Sequence, residues 1–144
     1  MKTQQYRYTK DGFEAVLHDA ENGDDRLVIV IQGLKGLELP SKYAEMFAGK
    51  GYSALAMSYY GGEGQPKAMR AIPVEYVEKA VEELRRSGFE KIGIHGISSG
   101  AAYALLCASL IPQISLVLSI CPFDYVMEEP KIFGRPTGRS WFSY

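Results

Sequence analysis

Thiols are scarce in this chain: its 144 residues include two cysteines, Cys107 and Cys121. So few exclude a disulfide-stapled scaffold, and their separation offers no short metal-ligand spacing. Neither a metal nor a cofactor is expected. An excess of charge of one sign is also missing, with 16 Lys+Arg against 17 Asp+Glu and a formal charge of -1. That balance excludes a composition argument for nucleic acid or for an acidic membrane surface as partner. The opening residues Met1-Lys2-Thr3-Gln4-Gln5 contain no apolar leader. No stretch reaches the ~18 consecutive apolar residues of a membrane span. A reducing cytoplasm is the expected compartment. Histidine is the last scarcity, with only His18 and His95 to serve as neutral-pH bases.

What is present is an ordinary globular balance, 47% hydrophobic and 23% charged. A chain of this length is expected to be a single domain that buries roughly 68–70% of its unfolded surface. Residues 4–9 and 13–20 are strand-like and flank Asp11-Gly12, a pair that favours a tight hairpin turn. Leu27-Val28-Ile29-Val30-Ile31 is an unbroken apolar run suited to a central strand covered on both faces. Pro40-Ser41 then opens a helix whose Tyr43, Met46 and Phe47 share a face, with Gly51 available to end it. Residues 52–60 form the next strand, and a loop rich in glycine, read as a mobile surface loop, runs from Gly61 to Pro66.

Val74, Val77, Val81 and Leu84 repeat at helical spacing, with Glu75–Lys79 and Glu82–Arg86 as supporting pairs four residues apart. Gly88 stops that helix. Residues 91–95 are a short strand, 99–109 a helix and 114–121 a final strand. Beyond it, residues 122–144 lose periodicity and are expected to be an irregular tail. The order is a hairpin followed by alternating strands and helices. It predicts a three-layer α/β sandwich with a mostly parallel sheet.

Gly96-Ile97-Ser98-Ser99-Gly100 matches G-x-S-x-G, the turn that lifts a nucleophilic serine above a sheet. Side chains at the two glycine positions would clash in so sharp a turn. The helix N-terminus that follows favours developing negative charge. The pattern is short and weak by itself. Its place between a strand and a helix is what makes Ser98 the candidate nucleophile, the alternative being a Gly-Ser loop entering a helix. The backbone N–H of Ser99 is one expected oxyanion donor. The loop Gln32-Gly33-Leu34-Lys35-Gly36 is expected to supply the second through Leu34 N–H, against the reading of an ordinary glycine turn.

A general base is harder to find. His18 reads as a solvent-facing strand residue, and His95 as a packed strand histidine three residues from Ser98. Asp124 could be an acid partner, although a turn or cap residue is the better reading. Serine hydrolases of this architecture order their triad as Ser, acid, His, and no histidine follows Ser98. Met46, Met57, Met69 and Met127 are scattered as core or loop residues.

Residues 27–126 resemble the C-terminal catalytic domain of acyl-CoA thioesterases and bile acid-CoA:amino acid N-acyltransferases. The matching residues are Gly51-Tyr52, Ala54-Leu55-Ala56, Tyr59-Tyr60, Gln65-Pro66-Lys67 and Met69, then Glu75-Tyr76 and Glu78-Lys79-Ala80-Val81. Ile92-Gly93-Ile94 follows, leading into Gly96-Ile97-Ser98. The Tyr-Tyr to Gln-Pro-Lys stretch is the more specific part. The resemblance implies an α/β-hydrolase fold near the dienelactone hydrolases, with Ser98 as nucleophile and donors at Ser99 and near Leu34. It implies an acyl-CoA or other acyl ester substrate and a place in fatty acid metabolism. The family's acid and histidine follow later strands. The chain is therefore expected to be a partial hydrolase domain that lacks the last two strands and a full triad.

Two alternatives stand beside a thioester hydrolase: a dienelactone-hydrolase-like or peptidase-like ester or amide hydrolase, and a non-catalytic α/β module. Strand 114–121 carries neither Pro nor Lys before Cys121, and it is expected to lie at an uncovered edge and pair with another copy.

Overall fold

The computed structural model describes residues 2–21, 23–123 and 142–143. The chain opens with β1 (Lys2–Tyr6), a single helical turn α1 (Tyr8–Asp11) and β2 (Glu14–Asp19). Next come β3 (Arg26–Ile31), α2 (Glu38–Ala48), β4 (Ser53–Ser58), the short β5 (Ile72–Pro73) and α3 (Glu75–Arg86). Last are β6 (Lys91–Ile97), α4 (Ser99–Leu110), β7 (Ile114–Ile120) and β8 (Phe142–Ser143). Six strands form one sheet in the order β1-β2-β4-β3-β6-β7. The β1–β2 and β2–β4 pairings are antiparallel and the rest are parallel. This is the expected α/β sandwich.

Alternation along the strands divides the core in two. Ile29 and Ile31 of β3, Leu55 and Met57 of β4, and Ile92 and Ile94 of β6 join the larger cluster, with Val77 and Leu84 of α3 and Tyr103 and Cys107 of α4. Their strand neighbours Val28, Val30, Ala54 and Ala56 face α2, which meets them with Tyr43, Ala44 and Phe47. Alanine at 44, 54 and 56 leaves room for that helix to seat on the sheet. Helix α3 buries Tyr76, Val77, Ala80, Val81 and Leu84 along one stripe. Two glycines end their helices as expected. The amides of Gly51 and Tyr52 bond Ala48 and Phe47 carbonyls at the end of α2, and those of Gly88 and Phe89 bond Arg85 and Leu84 carbonyls at the end of α3. Both glycines sit at positive φ, 88° and 99°, where a side chain is strained.

Several boundaries differ from expectation. Residues 8–11 are helical rather than part of a tight hairpin, because carboxylates cap the turn: Arg7 N–H donates to Asp11 at 2.7 Å and Tyr8 N–H to Glu14 at 2.9 Å. Helix α2 starts at Glu38, not Pro40. Proline is tolerated there because first-turn amides have no helical acceptor. Met46 is 55% exposed and leaves the face that Tyr43 and Phe47 share. In α3, Arg86 pairs with Glu83 at 3.2 Å rather than with Glu82. Within the expected irregular tail, Phe142–Ser143 runs parallel to Ile72–Pro73, while residues 124–141 lie outside the described set. Among the described residues, no helix is long and apolar enough to cross a membrane. No group of three or more potential metal ligands occurs among them either.

Candidate active site at the β6–α4 junction

Strand β6 ends at Ile97 and helix α4 begins at Ser99, which leaves Ser98 alone at the turn with φ 58° and ψ -126°. A non-glycine residue in that region stores roughly 1–3 kcal/mol, so its surroundings must over-determine it. They do so from both sides. Ser98 N–H donates to the Ile120 carbonyl of β7 at 3.0 Å, and the Ser98 carbonyl accepts from Ala101 N–H at 2.9 Å. Glycine is required at both flanks. A Cβ on Gly96 would strike the Gly100 carbonyl oxygen and lie 2.7 Å from Ala101 Cα. One on Gly100 would lie 2.9 Å from the Ile31 oxygen at the end of β3. The helix therefore leaves the strand at van der Waals contact with the neighbouring strand end.

The loop after β3 meets the turn directly. A Cβ on Gly33 would lie 2.8 Å from Ser99 Oγ and 3.3 Å from Ser98 Cβ. Ser99 is buried and its hydroxyl donates to the Gly33 carbonyl at 3.3 Å. Leu34, next along, is 65% exposed. The N–H groups of Ser99 and Leu34 make no hydrogen bond to a described residue. The turn thus brings together a half-buried serine hydroxyl, one free amide at a helix start and one free amide on an adjoining loop. That set can hold a carbonyl whose oxygen gains charge during attack.

No base accompanies them among the described residues. His95 is buried on the α2 side of β6, its ring 5.7 Å from that of Tyr43 and 5.6 Å from that of Phe47. Its Nδ1 has no described partner, and burial holds its pKa below the usual histidine value. It is packed as expected. His18 corrects the expectation of a solvent-facing residue. Ala15 and Leu17 of β2 join the larger cluster, so alternation turns His18 toward α2, where only 4% of it is exposed. Burial lowers its pKa, with Glu45 opposing. Asp124 and Met127 lie outside the described residues. Cys107 is buried in α4, with its thiol pushed up to about 12 by desolvation, and Cys121 is exposed. Met57 and Met69 are core residues.

Sequence reasoning missed the structure of the glycine-rich loop. It is closed on itself, with Gly61 N–H donating to the Pro66 carbonyl at 2.8 Å. Gln65 is buried; its Nε2 donates to the Ser58 carbonyl at 2.8 Å, and its Oε1 accepts from Gly62 N–H at 3.2 Å. A buried glutamine among glycines was the available signal, since such an amide must find partners. The same loop places the Tyr60 hydroxyl 3.5 Å from the Gly33 carbonyl oxygen.

Residues 72–136 match the family model described as BAAT / acyl-CoA thioester hydrolase C terminal. The chain is 38% identical over 80 residues to acyl-coenzyme A thioesterase 1 of Rattus norvegicus, a stretch covering 54% of this chain and 19% of that protein. It is 35% identical over 96 residues to the peroxisomal succinyl-coenzyme A thioesterase of Mus musculus, covering 65% and 23% respectively. Among solved structures, the alpha/beta hydrolase GrgF from Penicillium sp. sh18 superposes with a TM-score of 0.65 at 21% identity. That superposition covers 84% of this chain and 45% of the other. The resemblance drawn from the residues is borne out, and the fold is that of the α/β hydrolases. The chain spans about a fifth of the length of these curated relatives. One of them is peroxisomal by name, and they lend the cytoplasmic expectation no support.

Proposed function

We propose that this chain, acyl-CoA-thioesterase-like over its matched stretch, is the nucleophile-bearing part of a serine hydrolase acting on acyl-CoA thioesters. Ser98 Oγ attacks the thioester carbonyl carbon, and the carbonyl oxygen takes up charge between the N–H groups of Ser99 and Leu34. Collapse of the adduct expels the CoA thiol, leaving an acyl-serine that water or an amine resolves. The observation that carries this reading is the strained Ser98 at the strand–helix turn, with Gly33 in contact beside it. Such strain persists where function repays it.

Neither histidine of the chain suits the proton transfer, since one packs against Tyr43 and Phe47 and the other lies on β2, three strands away in the sheet. In this reading the base and its acid partner come from outside the described residues. The chain alone should therefore turn over thioesters at a residual rate. Active sites stripped of triad members retain roughly 10³–10⁴ over water.

The test is CoA release from a panel of saturated acyl-CoAs, together with mass analysis after treatment with a serine-directed fluorophosphonate. Slow release and single labelling, both lost in Ser98→Ala, are expected. Labelling that survives Ser98→Ala, or vigorous turnover that disappears in His95→Ala, overturns the assignment. Lactone and aryl ester substrates run in parallel separate a thioesterase from a dienelactone-hydrolase-like esterase.

A further inference from the structure

We propose that Tyr60 is a positioning residue for the oxyanion hole: through the Gly33 carbonyl it aims the Leu34 N–H. The inference deepens the preceding reading and rests on Ser98 being the nucleophile.

The Gly33 carbonyl and the Leu34 N–H belong to one planar peptide unit and point in opposite directions. Whatever grips the carbonyl sets the direction of the amide. Two hydroxyls grip it, Ser99 Oγ at 3.3 Å from one side of the turn and Tyr60 Oη at 3.5 Å from the loop after β4. Little else could. Gly33 has no side chain to fix its dihedrals, Leu34 is 65% exposed, and Gly36 further along sits at φ +86° with open space around it. A peptide plane flanked by such residues rotates easily unless its polar groups are tied. With the carbonyl turned toward two buried residues, the Leu34 amide is turned outward, away from them.

Tyr60 is itself held firmly enough to act as a bracket. It is 5% exposed, and its ring meets Tyr59 edge-on at 5.2 Å. The Tyr60 carbonyl accepts from Ser58 Oγ at 3.1 Å, a hydroxyl also within 3.1 Å of Gln65 Oε1. Gln65 in turn ties Ser58 to Gly62. At its far side the bracket rests on the oxyanion loop again, because a Cβ on Gly61 would lie 2.8 Å from Lys35 Cβ. The Tyr59-Tyr60 to Gln65-Pro66 stretch, the more specific part of the sequence resemblance, is thus the segment that braces the second donor. The two donors become coupled: Ser99 supplies one by its own N–H and helps aim the other by its side chain.

The experiment compares the full chain with Tyr60→Phe, Ser99→Ala and, as control, Tyr59→Phe, whose hydroxyl faces Met69 sulfur at 3.7 Å. Removing only the Tyr60 hydroxyl should shift the Gly33 carbonyl carbon and Leu34 amide nitrogen resonances and leave the thermal midpoint unchanged. Tyr59→Phe should move neither resonance. Fluorophosphonate labelling of Ser98 should slow about tenfold in Tyr60→Phe. That loss is smaller than the roughly 10²–10³ of deleting a donor outright, because the amide is misaimed rather than absent. Reversible binding of acyl-CoA should be unchanged, since an aimed amide acts on the charged adduct and not on the ground state. Unmoved Gly33 and Leu34 resonances in Tyr60→Phe overturn the tether. Shifted resonances with an unaltered labelling rate overturn the positioning role. A wild-type chain that is not labelled at all removes the nucleophile reading and this role with it, while the spectra still report the tether separately.

Discussion

The two sides of the sheet handle the same problem in opposite ways. At the β1 edge the outward residues are Lys2, Thr3, Gln4 and Gln5, all exposed and all polar. Between α1, which follows that edge strand, and α3 lies a hollow of about 270 Å³ lined mainly by charged side chains, among them Lys10, Asp11, Lys79 and Glu83. At the β7 edge, Leu116, Leu118 and Ile120 are 66%, 48% and 41% exposed. Near them is a hollow of about 420 Å³ with Val28, Phe47 and Leu116 in its wall beside the basic Arg26, Lys50 and Lys91. The first edge is finished for water. The second has the composition of an interior strand, and β7 pairs on its outer side with no described residue. Yet the β7 side also carries the candidate active site, since Ser98 N–H is anchored on the Ile120 carbonyl. Strain and exposed apolar surface therefore sit together, and the β1 side stores neither.

The largest expected effect probes the strain. Gly96→Ala puts a methyl group into the backbone of Gly100 and Ala101, which cannot swing aside. It should cost about 3 kcal/mol of unfolding free energy, the upper part of the overpacking range. Gly12→Ala on the β1 side meets only the flexible stem of Lys79, at 2.9 Å from Cδ. Its cost should be about 1–2 kcal/mol, set by the left-handed φ of 80° alone. Urea titration of both variants measures the difference. Equal losses would mean that the β6–α4 turn is no more constrained than the loop before β2.

A smaller effect probes the bare edge. We expect the chain to self-associate along β7, where backbone groups without a partner among the described residues adjoin exposed leucines and no Lys or Pro intervenes. Leu118→Lys removes one exposed leucine, covered only on association, from each of two copies, a loss on the order of 2–3 kcal/mol of contact. That is about a hundredfold in dissociation constant. Gln4→Lys on the opposite edge should change nothing. Sedimentation velocity at micromolar concentration decides the matter. A stable wild-type monomer would show that the apolar row of β7 does not attract a second copy.

How much of this was legible in the residues follows from the range of the forces involved. Gly51, Gly88 and Gly96 announced themselves because each meets a local geometric demand, two at helix ends and one at the serine turn, whereas Gly100 shows in the same five-residue pattern although its demand comes from the distant end of β3. Helix α3 was legible because its buried stripe lies within one element. The turn before β2 was misread because Asp11 and Glu14 bond amides back at Arg7 and Tyr8, an option that the Asp-Gly pair concealed. His18 was misplaced because its burial depends on a neighbour far along the chain: it faces Ala54 across the β2–β4 ladder, beneath α2. The Tyr60–Gly33 tether joins loops 27 residues apart. No spacing rule reaches that far. Ser98 could be proposed from five residues, whereas the group that aims its second donor could not.

The smallest effect compares one buried histidine from each side. His95, on β6 beside the bare edge, packs against Tyr43 and Phe47, and desolvation holds its pKa below the ordinary value. His18, on β2 toward the finished edge, is also lowered by desolvation, but the nearby Glu45 carboxylate pulls it partly back. A folded-state pKa below the unfolded value of ~6.5 means that the unfolded chain binds protons first as pH falls. The stabilising advantage is intact above that pH, and it is lost progressively as pH drops from there through the folded-state pKa. For one proton the slope is at most about 1.4 kcal/mol per pH unit. His95→Phe should flatten the pH dependence of the urea midpoint between about pH 7 and 5, above most carboxylate titration. His18→Leu should flatten it too, since burial shifts that histidine in the same direction. A slope unchanged in both variants would mean that neither buried histidine takes up its proton later in the folded chain than in the unfolded one.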